Sequence, residues 1–197
     1  MSDQERERER ATESINEAKR RWLVRHATRD DIELLADFNC AMALETEQLT
    51  LERDRVRAGV SGLLEEPSRG RCFVIEDRAR ETGVNDGASR VVGTLSVTSE
   101  WSDWRCGTFW WIQSVYVAPS ARRSGAFRAL YGHVEALARG APDVCGLRLY
   151  VERDNARAMR TYAALGMAET HYRIYETEFE TEFETAFETE SEREPGR

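Results

Sequence analysis

Hydrophobic positions change their spacing several times along the chain, and each spacing predicts a different element. Apolar residues three or four positions apart predict helices that bury one face, whereas alternation and short apolar runs predict strands. In chain order these patterns predict β-α-α-β-β-β-α-β-α-β between residues 22 and 175. We therefore predict an α/β (α+β) fold, with a mixed, mostly antiparallel twisted sheet of about six to seven strands and about four flanking helices.

The first half of the chain supplies a strand, two helices and a hairpin. A short strand is predicted at Trp22–Arg25, and Thr28–Asp31 resembles a helix N-cap with an acidic third residue. Apolar runs at Cys72–Ile75 and Val91–Val97 predict a hairpin across a turn-rich connection at 81–89. The apolar positions of the two helices are Leu35, Phe38 and Met42, then Val56, Val60 and Leu63.

The second half alternates strands with helices. A loop containing Trp101 leads to a long strand, Phe109–Val117, and a later strand is predicted at Leu147–Val151. A short helix from Asn155 to Leu165 and a final strand at His171–Tyr175 follow. The long helix between the strands carries a continuous apolar stripe, which consists of Phe127, Leu130, Tyr131, Val134, Leu137 and Ala138.

Composition divides the chain into three parts. We expect a charged, flexible segment at 1–20, one domain at 21–179 and an acidic low-complexity tail at 180–197. The net charge of −8 lies mainly at the C-terminal end, where nine glutamates and two arginines follow from residue 176 onward. Because the rest of the chain is then nearly neutral, we expect no nucleic-acid partner. The tail also repeats phenylalanine every four residues, which leaves a partner-binding role open.

Other features exclude further classes of protein. No apolar run approaches the roughly 20 residues of a membrane span. Glu5–Arg10 alternates acidic and basic residues, unlike a signal peptide, so we expect a cytoplasmic protein without a membrane partner. The four cysteines and three histidines are dispersed, which predicts free thiols and no metal site.

A candidate anion site lies between Val117 and Arg128. A strand end, a short turn and a helix start follow one another there, and the first N–H groups of a helix lack intrahelical partners. Gly125 would let a phosphate approach the backbone closely, and Arg122 and Arg123 add positive charge. From these residues alone, a solvated arginine face is an equally good interpretation.

The same stretch resembles the acetyl-CoA motif of the GNAT superfamily of N-acetyltransferases. That motif has the form Arg/Gln-x-x-Gly-x-Gly/Ala between the fourth strand and the third helix, and Phe127 departs from its last position. The residues that carry the resemblance are Val117, Pro119, Arg122, Arg123, Gly125, Ala129 and Leu130.

A second segment resembles the fifth strand and fourth helix of the same family. It runs from Leu147 to Asn155 and continues through Ala158, Tyr162, Leu165, Gly166 and Met167. The two motifs occur in the family's order, and the resemblance spans residues 22–175. It implies the GNAT fold, acetyl-CoA as co-substrate and transfer of an acetyl group.

The resemblance also implies roles for individual residues. Tyr162 would be the catalytic acid that protonates the leaving thiolate, and its alternative interpretation is a packed aromatic. The strand residues would bind the pantetheine arm, the loop residues would bind the diphosphate, and Asn155 would lie near the cofactor or cap its helix. The implied cofactor-binding set is Val115, Tyr116, Val117, Arg122, Arg123, Ser124, Gly125, Ala126, Phe127, Arg128 and Asn155.

The general base and the acceptor site are less defined. Gln113, Tyr150 and Glu152 lie on the implied fourth and fifth strands, and Glu152 is a base or a solvated residue. Glu100 and deprotonation through water are further alternatives. Two interpretations remain for the clustered tryptophans, a wall of the acceptor pocket or a packed aromatic cluster. These residues are Trp101, Trp104, Trp110 and Trp111.

These observations predict transfer of an acetyl group from acetyl-CoA to a primary amine of a small molecule or protein, in a ternary complex without a covalent enzyme intermediate. The alternative is a GNAT-fold module that binds acyl-CoA as a sensor without catalysis. Homodimers are common in the resembled family, so the oligomeric state of this chain is left open between a monomer and a homodimer.

Overall fold

The structure is a computed structural model that describes residues 21–79, 90–177 and 179. It divides into a first unit that ends at Glu152 and a second unit that begins at Arg153. The predicted N-terminal segment, the turn-rich connection and the acidic tail lie outside the described residues.

The described part of the first unit contains one five-stranded sheet whose spatial order follows the chain order. The first four strands pair antiparallel with their neighbours, whereas the fifth runs parallel to the fourth. The predicted hairpin and the parallel crossover are therefore confirmed. The strands are β1 (Trp22–His26), β2 (Arg71–Asp77), β3 (Val91–Ser102), β4 (Gly107–Val117) and β5 (Val144–Leu149).

Four α-helices occur in the described part of the chain, as predicted. Helices α1 (Ile32–Glu47) and α2 (Arg53–Glu65) connect β1 to β2, and α3 (Ala126–Gly140) connects β4 to β5. Helix α4 (Ala156–Ala164) belongs to the second unit. A parallel neighbour requires a crossover connection, and α3 supplies it between β4 and β5.

The predicted cap at Thr28 forms and is held by an arginine. The Thr28 N–H donates to Asp31 Oδ2 at 2.7 Å, and the Asp31 N–H donates back to the Thr28 carbonyl at 3.0 Å. Arg25 donates to both Asp31 oxygens, at 2.7 and 2.9 Å. Burial opposes ionisation of Asp31, but the hydrogen bonds from Arg25 and Thr28 outweigh it and lower the pKa of this carboxyl.

The two faces of the sheet bury different helices. Phe73, which is fully buried, meets His133 of α3 at 5.5 Å between ring centroids, and Leu130 and Val134 of α3 are also fully buried. The opposite face packs on α1 and α2. The buried cluster there consists of Leu35, Phe38, Val60, Cys72, Val74, Val91 and Tyr116.

Four predictions about strands were wrong. Among the described residues the sheet has five strands rather than six or seven, and His171–Tyr175 is not a strand. Alternating side chains produce a strand only where the backbone pairs with a neighbour, and no such ladder includes this segment among the described residues. Its Tyr175 side chain is 89% exposed. Strand β5 ends at Leu149, before Val151, and Trp101 lies in β3 rather than in a loop.

Candidate active site

Strand β4 loses its partner on one edge at Gln113. Gln113 is an extra residue in β4 opposite β3, a β-bulge, and the pairing with β5 ends one residue earlier, at Ile112 and Leu149. From Ser114 to Val117 the strand pairs with β3 again, but no residue of β5 pairs with this stretch. Backbone groups along this edge can therefore bind an extended ligand.

The loop at residues 118–125, here the β4–α3 loop, delivers the chain to the start of α3. It contains a 3-10 turn, Pro119–Ala121, followed by two left-handed residues, Arg123 at φ 61° and Gly125 at φ 91°. Gly125 is the N-cap of α3, and its carbonyl accepts the N–H of Ala129 at 3.0 Å. The earlier N–H groups of the first helical turn precede this bond and point toward the loop, where the helix dipole favours an anion.

The surroundings of Gly125 fit a diphosphate. A Cβ atom built on Gly125 would lie 3.9 Å from Nε1 of Trp22. That indole nitrogen has no hydrogen-bond partner among the described residues, although Trp22 is only 6% exposed. An unsatisfied donor next to a helix N-terminus adds to the positive potential there, because a buried N–H keeps its partial charge.

A pocket of about 290 Å³ lies on the part of the sheet next to the bulge. Thr98 and Glu100 continue the alternation of Thr94 and Ser96 along β3, so they project from the face that carries α1 and α2. Here it is called the β3–β5 pocket, and its lining consists of Thr98, Glu100, Trp111, Gln113 and Tyr150.

An ion pair crosses one end of the β3–β5 pocket. Arg148 of β5 reaches over β4 to donate from Nη1 to Oε1 of Glu100 on β3. Its guanidinium stacks on the Phe109 ring, with 3.7 Å from Cζ to the ring centroid, and Arg105 approaches the same ring at 5.2 Å. Gly146 makes room for that ring, since a Cβ there would lie 2.8 Å from a Phe109 ring carbon.

The other end of the pocket is aromatic and polar. Gln113 Nε2 donates to the Tyr150 hydroxyl at 2.8 Å, and the Tyr150 ring lies 6.1 Å from that of Trp111. Tyr150 follows the last residue of β5, so these two contacts position it at the bulge. The pocket therefore joins a charged end to the place where β4 and β5 separate.

The family model for the acetyltransferase (GNAT) family matches residues 32–167, which is more than half of the chain. The chain belongs to the GNAT acetyltransferase family. No curated protein matches it.

Solved structures share the GNAT fold of this chain. A possible acetyltransferase from Clostridium difficile 630 is 37% identical, with a TM-score of 0.72 over 82% of this chain and 99% of that one. The aminoglycoside acetyltransferase AAC(6')-Iy, in complex with a bisubstrate analogue of CoA and acetylneamine, is 14% identical, with a TM-score of 0.60 over 80% and 98%. A transcriptional regulator from Bacillus halodurans C-125 is 17% identical, with a TM-score of 0.64 over 80% and 99%. At these last two identities the likeness shows the fold alone.

The predicted strand residues of this GNAT domain lie on the edge that β5 leaves. Val115 and Val117 are half-buried and pair with Leu95 and Gly93 of β3. Tyr116 is buried on the α1 face and donates its hydroxyl proton to Glu45 Oε1 at 3.0 Å. Burial, followed by that hydrogen bond, raises the pKa of Tyr116. The strand residues thus hold β4 in the sheet whether or not their backbone binds cofactor.

Arg122 has several protein partners in the structure. Its Nε donates to the Val117 carbonyl at 2.8 Å, and its Nη2 pairs with Glu45 Oε2 at 2.5 Å. The guanidinium also lies 5.4 Å from the centre of the Tyr116 ring. Arg122 therefore ties the β4–α3 loop to helix α1 and to the end of β4.

The remaining loop residues have divided roles in local structure. Ser124 Oγ donates to the Ala121 carbonyl, and Ala126 is buried at the helix start. The Phe127 ring packs 6.2 Å from that of Tyr131, along its own helix. Arg123 and Arg128 are exposed, so their charges face solvent beside the loop.

Asn155 and Tyr162 both belong to the second unit, Asn155 at the start of α4 and Tyr162 near its end. Asn155 is the N-cap, and its Oδ1 accepts the Ala158 N–H at 3.0 Å, so its capping role is present. Burial raises the pKa of Tyr162 above its ordinary value. The Tyr162 carbonyl accepts the N–H groups of Leu165 and Met167, at 3.0 and 3.1 Å, which closes the helix.

Sequence reasoning missed three residues that the structure brings to the site. Glu45 lies 77 positions from its partner Arg122, and no local pattern signals that pair. Trp22 was assigned only to a strand. Arg148 could have been suspected, because a charged residue interrupts an apolar run in β5.

The described residues contain no group of three or more metal-binding side chains placed to hold an ion. Within the same part of the chain, each helix is too short or too polar to cross a bilayer.

Proposed function

We propose that this GNAT protein transfers an acetyl group from acetyl-CoA to a primary amine of a small molecule or protein acceptor, in the cytoplasm. The observation that carries the proposal is the separation of β4 from β5 at Gln113, between the β4–α3 loop and the β3–β5 pocket. Two substrates can bind at once along this strand. The strand edge and the helix start would take the cofactor, and the β3–β5 pocket would take the acceptor.

The cofactor half of this proposal rests on backbone. The edge of β4 from Val115 to Val117 would bind the amide-bearing arm, and the N–H groups around Gly125 would bind the diphosphate. The first helical turn supplies donors that need no side-chain reorganisation. Asn155 remains a proposed neighbour of the cofactor.

The transfer itself requires two proton movements. The thioester supplies an activated acyl group, and the amine must be neutral before its lone pair can form the C–N bond. As the C–S bond breaks, the electron pair goes to sulfur, which needs a proton. We assign that proton to the Tyr162 hydroxyl, as the resemblance to the family implies; burial raises the pKa of Tyr162, so this phenol is protonated at neutral pH.

The proton lost by the amine goes to Glu100 or to water in this proposal. Glu100 lines the β3–β5 pocket, whereas Glu152 is exposed beyond the end of β5. Glu100 is therefore the better placed of the two carboxylates for an acceptor in this pocket. Since Arg148 holds Glu100 at the end of the pocket away from the bulge, an amine that reaches the bulge would lose its proton through water instead.

Calorimetric titration with acetyl-CoA, combined with a thiol-release assay on a panel of amines, tests the proposal. We expect binding together with CoA release that depends on the amine and increases with its concentration. Binding without release on any amine would favour an acyl-CoA sensor. Failure to bind acetyl-CoA would refute both interpretations.

A further inference from the structure

Both side chains of the Glu100–Arg148 ion pair keep hydrogen-bonding atoms that the pair itself does not use. Arg148 has one hydrogen bond, from Nη1, so its Nε and Nη2 donors have no protein acceptor among the described residues. Glu100 correspondingly uses only Oε1. Both side chains are partly exposed, at 31% for Arg148 and 43% for Glu100. A ligand in the pocket can therefore reach a guanidinium edge that is already fixed in position.

The Arg148 guanidinium is held in position by its stacking on the Phe109 ring. A guanidinium held flat on a ring loses little further freedom when it binds a planar anion. Arg105 brings a second guanidinium to the same ring. Because Glu100 neutralises only one of these two cations, the charged end of the pocket favours a carboxylate over an ammonium group.

The distance between the charged end of the pocket and the bulge at Gln113 limits the length of the acceptor. Phe109 and Gln113 are four residues apart on β4, which corresponds to roughly 13 Å at about 3.3 Å per residue. A polar contact of about 3 Å at each end leaves roughly 7 Å between the carboxylate and the reacting amine. An unbranched chain of about five methylene groups spans that distance, and Trp111 lies between the two ends as an apolar wall.

We propose that the acceptor is an aliphatic ω-amino carboxylate, whose carboxylate binds Arg148 and whose terminal amine reaches the bulge at Gln113. This inference rests on the proposed function, since it needs the thioester to lie where β4 and β5 separate. It assigns the specificity for the distal carboxylate to Arg148, a residue that takes no part in the bond-making step.

Three acceptors with matched structures test the inference. They are 6-aminohexanoate, pentylamine, which has the same amine and chain without the carboxylate, and norleucine, whose only amine is next to its carboxylate. For the unmodified protein we expect kcat/KM for 6-aminohexanoate to exceed that for either comparison by roughly 10- to 100-fold, the range of a charged hydrogen bond. Equal values for 6-aminohexanoate and pentylamine, or a preference for norleucine, would overturn the inference.

Variants then locate the source of the preference. Arg148→Gln should bring the ratio of kcat/KM for 6-aminohexanoate to kcat/KM for pentylamine down to about one. Arg148→Lys should retain part of the preference for 6-aminohexanoate. Glu100→Gln should keep or raise that ratio even if it slows both reactions, because it removes the carboxylate that competes for Arg148. The control is Arg139→Gln, which breaks an exposed ion pair with Glu135 on α3 and should leave the ratio unchanged. A ratio that survives in Arg148→Gln would overturn the assignment.

Calorimetry separates this inference from the proposed function. If acetyl-CoA binds and some other amine releases CoA, but 6-aminohexanoate does not, the acceptor assignment is wrong and the transferase proposal stands. If acetyl-CoA does not bind, the proposed function itself fails. Binding of acetyl-CoA to Arg148→Gln with the affinity of the unmodified protein would show that this variant is folded.

Discussion

The β4–α3 loop and the β3–β5 pocket lie along the same strand but are built differently. The loop consists of consecutive residues, and its ligand-binding groups are backbone N–H groups and a glycine without a side chain. The pocket is built from side chains of β3 and β4 and of Tyr150, the residue after β5, with members up to 52 positions apart. A site made of consecutive backbone groups keeps its specificity through local conformation, whereas a site made of distant side chains can change ligand by single substitutions.

The largest effect is expected from a variant that removes the proposed catalytic acid and leaves the β4–α3 loop and the β3–β5 pocket intact. Tyr162→Phe deletes one hydroxyl, and we expect kcat to fall by roughly 100-fold or more, the range for loss of a general acid. The dissociation constant of acetyl-CoA should stay unchanged in calorimetry. Full turnover by Tyr162→Phe across pH would refute its role as the acid.

A second variant tests whether the loop depends on backbone conformation. Gly125→Val places a β-branched residue at φ 91° and fills the space beside the first helical turn. We expect acetyl-CoA to bind roughly tenfold or more weakly, since such strain costs about 1–3 kcal/mol. Gly132→Ala, at an open helical position, is the matched control and should bind normally.

A third variant tests the connection between the loop and α1. Glu45→Gln removes the charge that pairs with Arg122, and Tyr116 loses a charged acceptor. We expect a few-fold rise in KM for acetyl-CoA with little change in kcat, because a partly exposed charged pair contributes about 1 kcal/mol. A fall in kcat alone, without a change in KM, would contradict a positioning role.

The smallest expected effect on activity comes from a change remote from both regions. Asp31→Asn should lower the free energy of unfolding by about 2 kcal/mol at neutral pH, as expected for lost charged hydrogen bonds. Because the pKa of Asp31 is lowered in the folded state, its contribution is present above about pH 4 and is lost as pH falls toward that lowered pKa. Denaturation at pH 7 and at pH 3 should therefore show a smaller difference between variant and unmodified protein at pH 3.

The difference in construction also explains which parts the sequence could predict. The strand before Gly125, the α3 stripe and the Asn155 cap depend on neighbours within a few residues, and their elements are confirmed. The pairing of Arg148 with Glu100, and of Arg122 with Glu45, depends on the three-dimensional register of strands and helices. No local pattern encodes these distances.

The wrong strand at His171–Tyr175 has the same origin. Its alternation of polar and apolar residues is a local property, whereas a strand also needs a partner with matching hydrogen bonds. Strand β5 was predicted to extend too far along the chain for the same reason, since its pairing with β4 ends at Leu149 although the apolar alternation continues to Val151.

Gly146 is a position at which the β3–β5 pocket could be changed by protein engineering, although Gly146 does not line the pocket. The Phe109 ring occupies the space that a larger residue at 146 would need, and that ring is the platform for Arg148. Introducing alanine there would push the ring outward and with it the guanidinium above it. Substrate range could thus be retuned from beneath the sheet surface, in small steps, while every residue that touches the acceptor stays as it is.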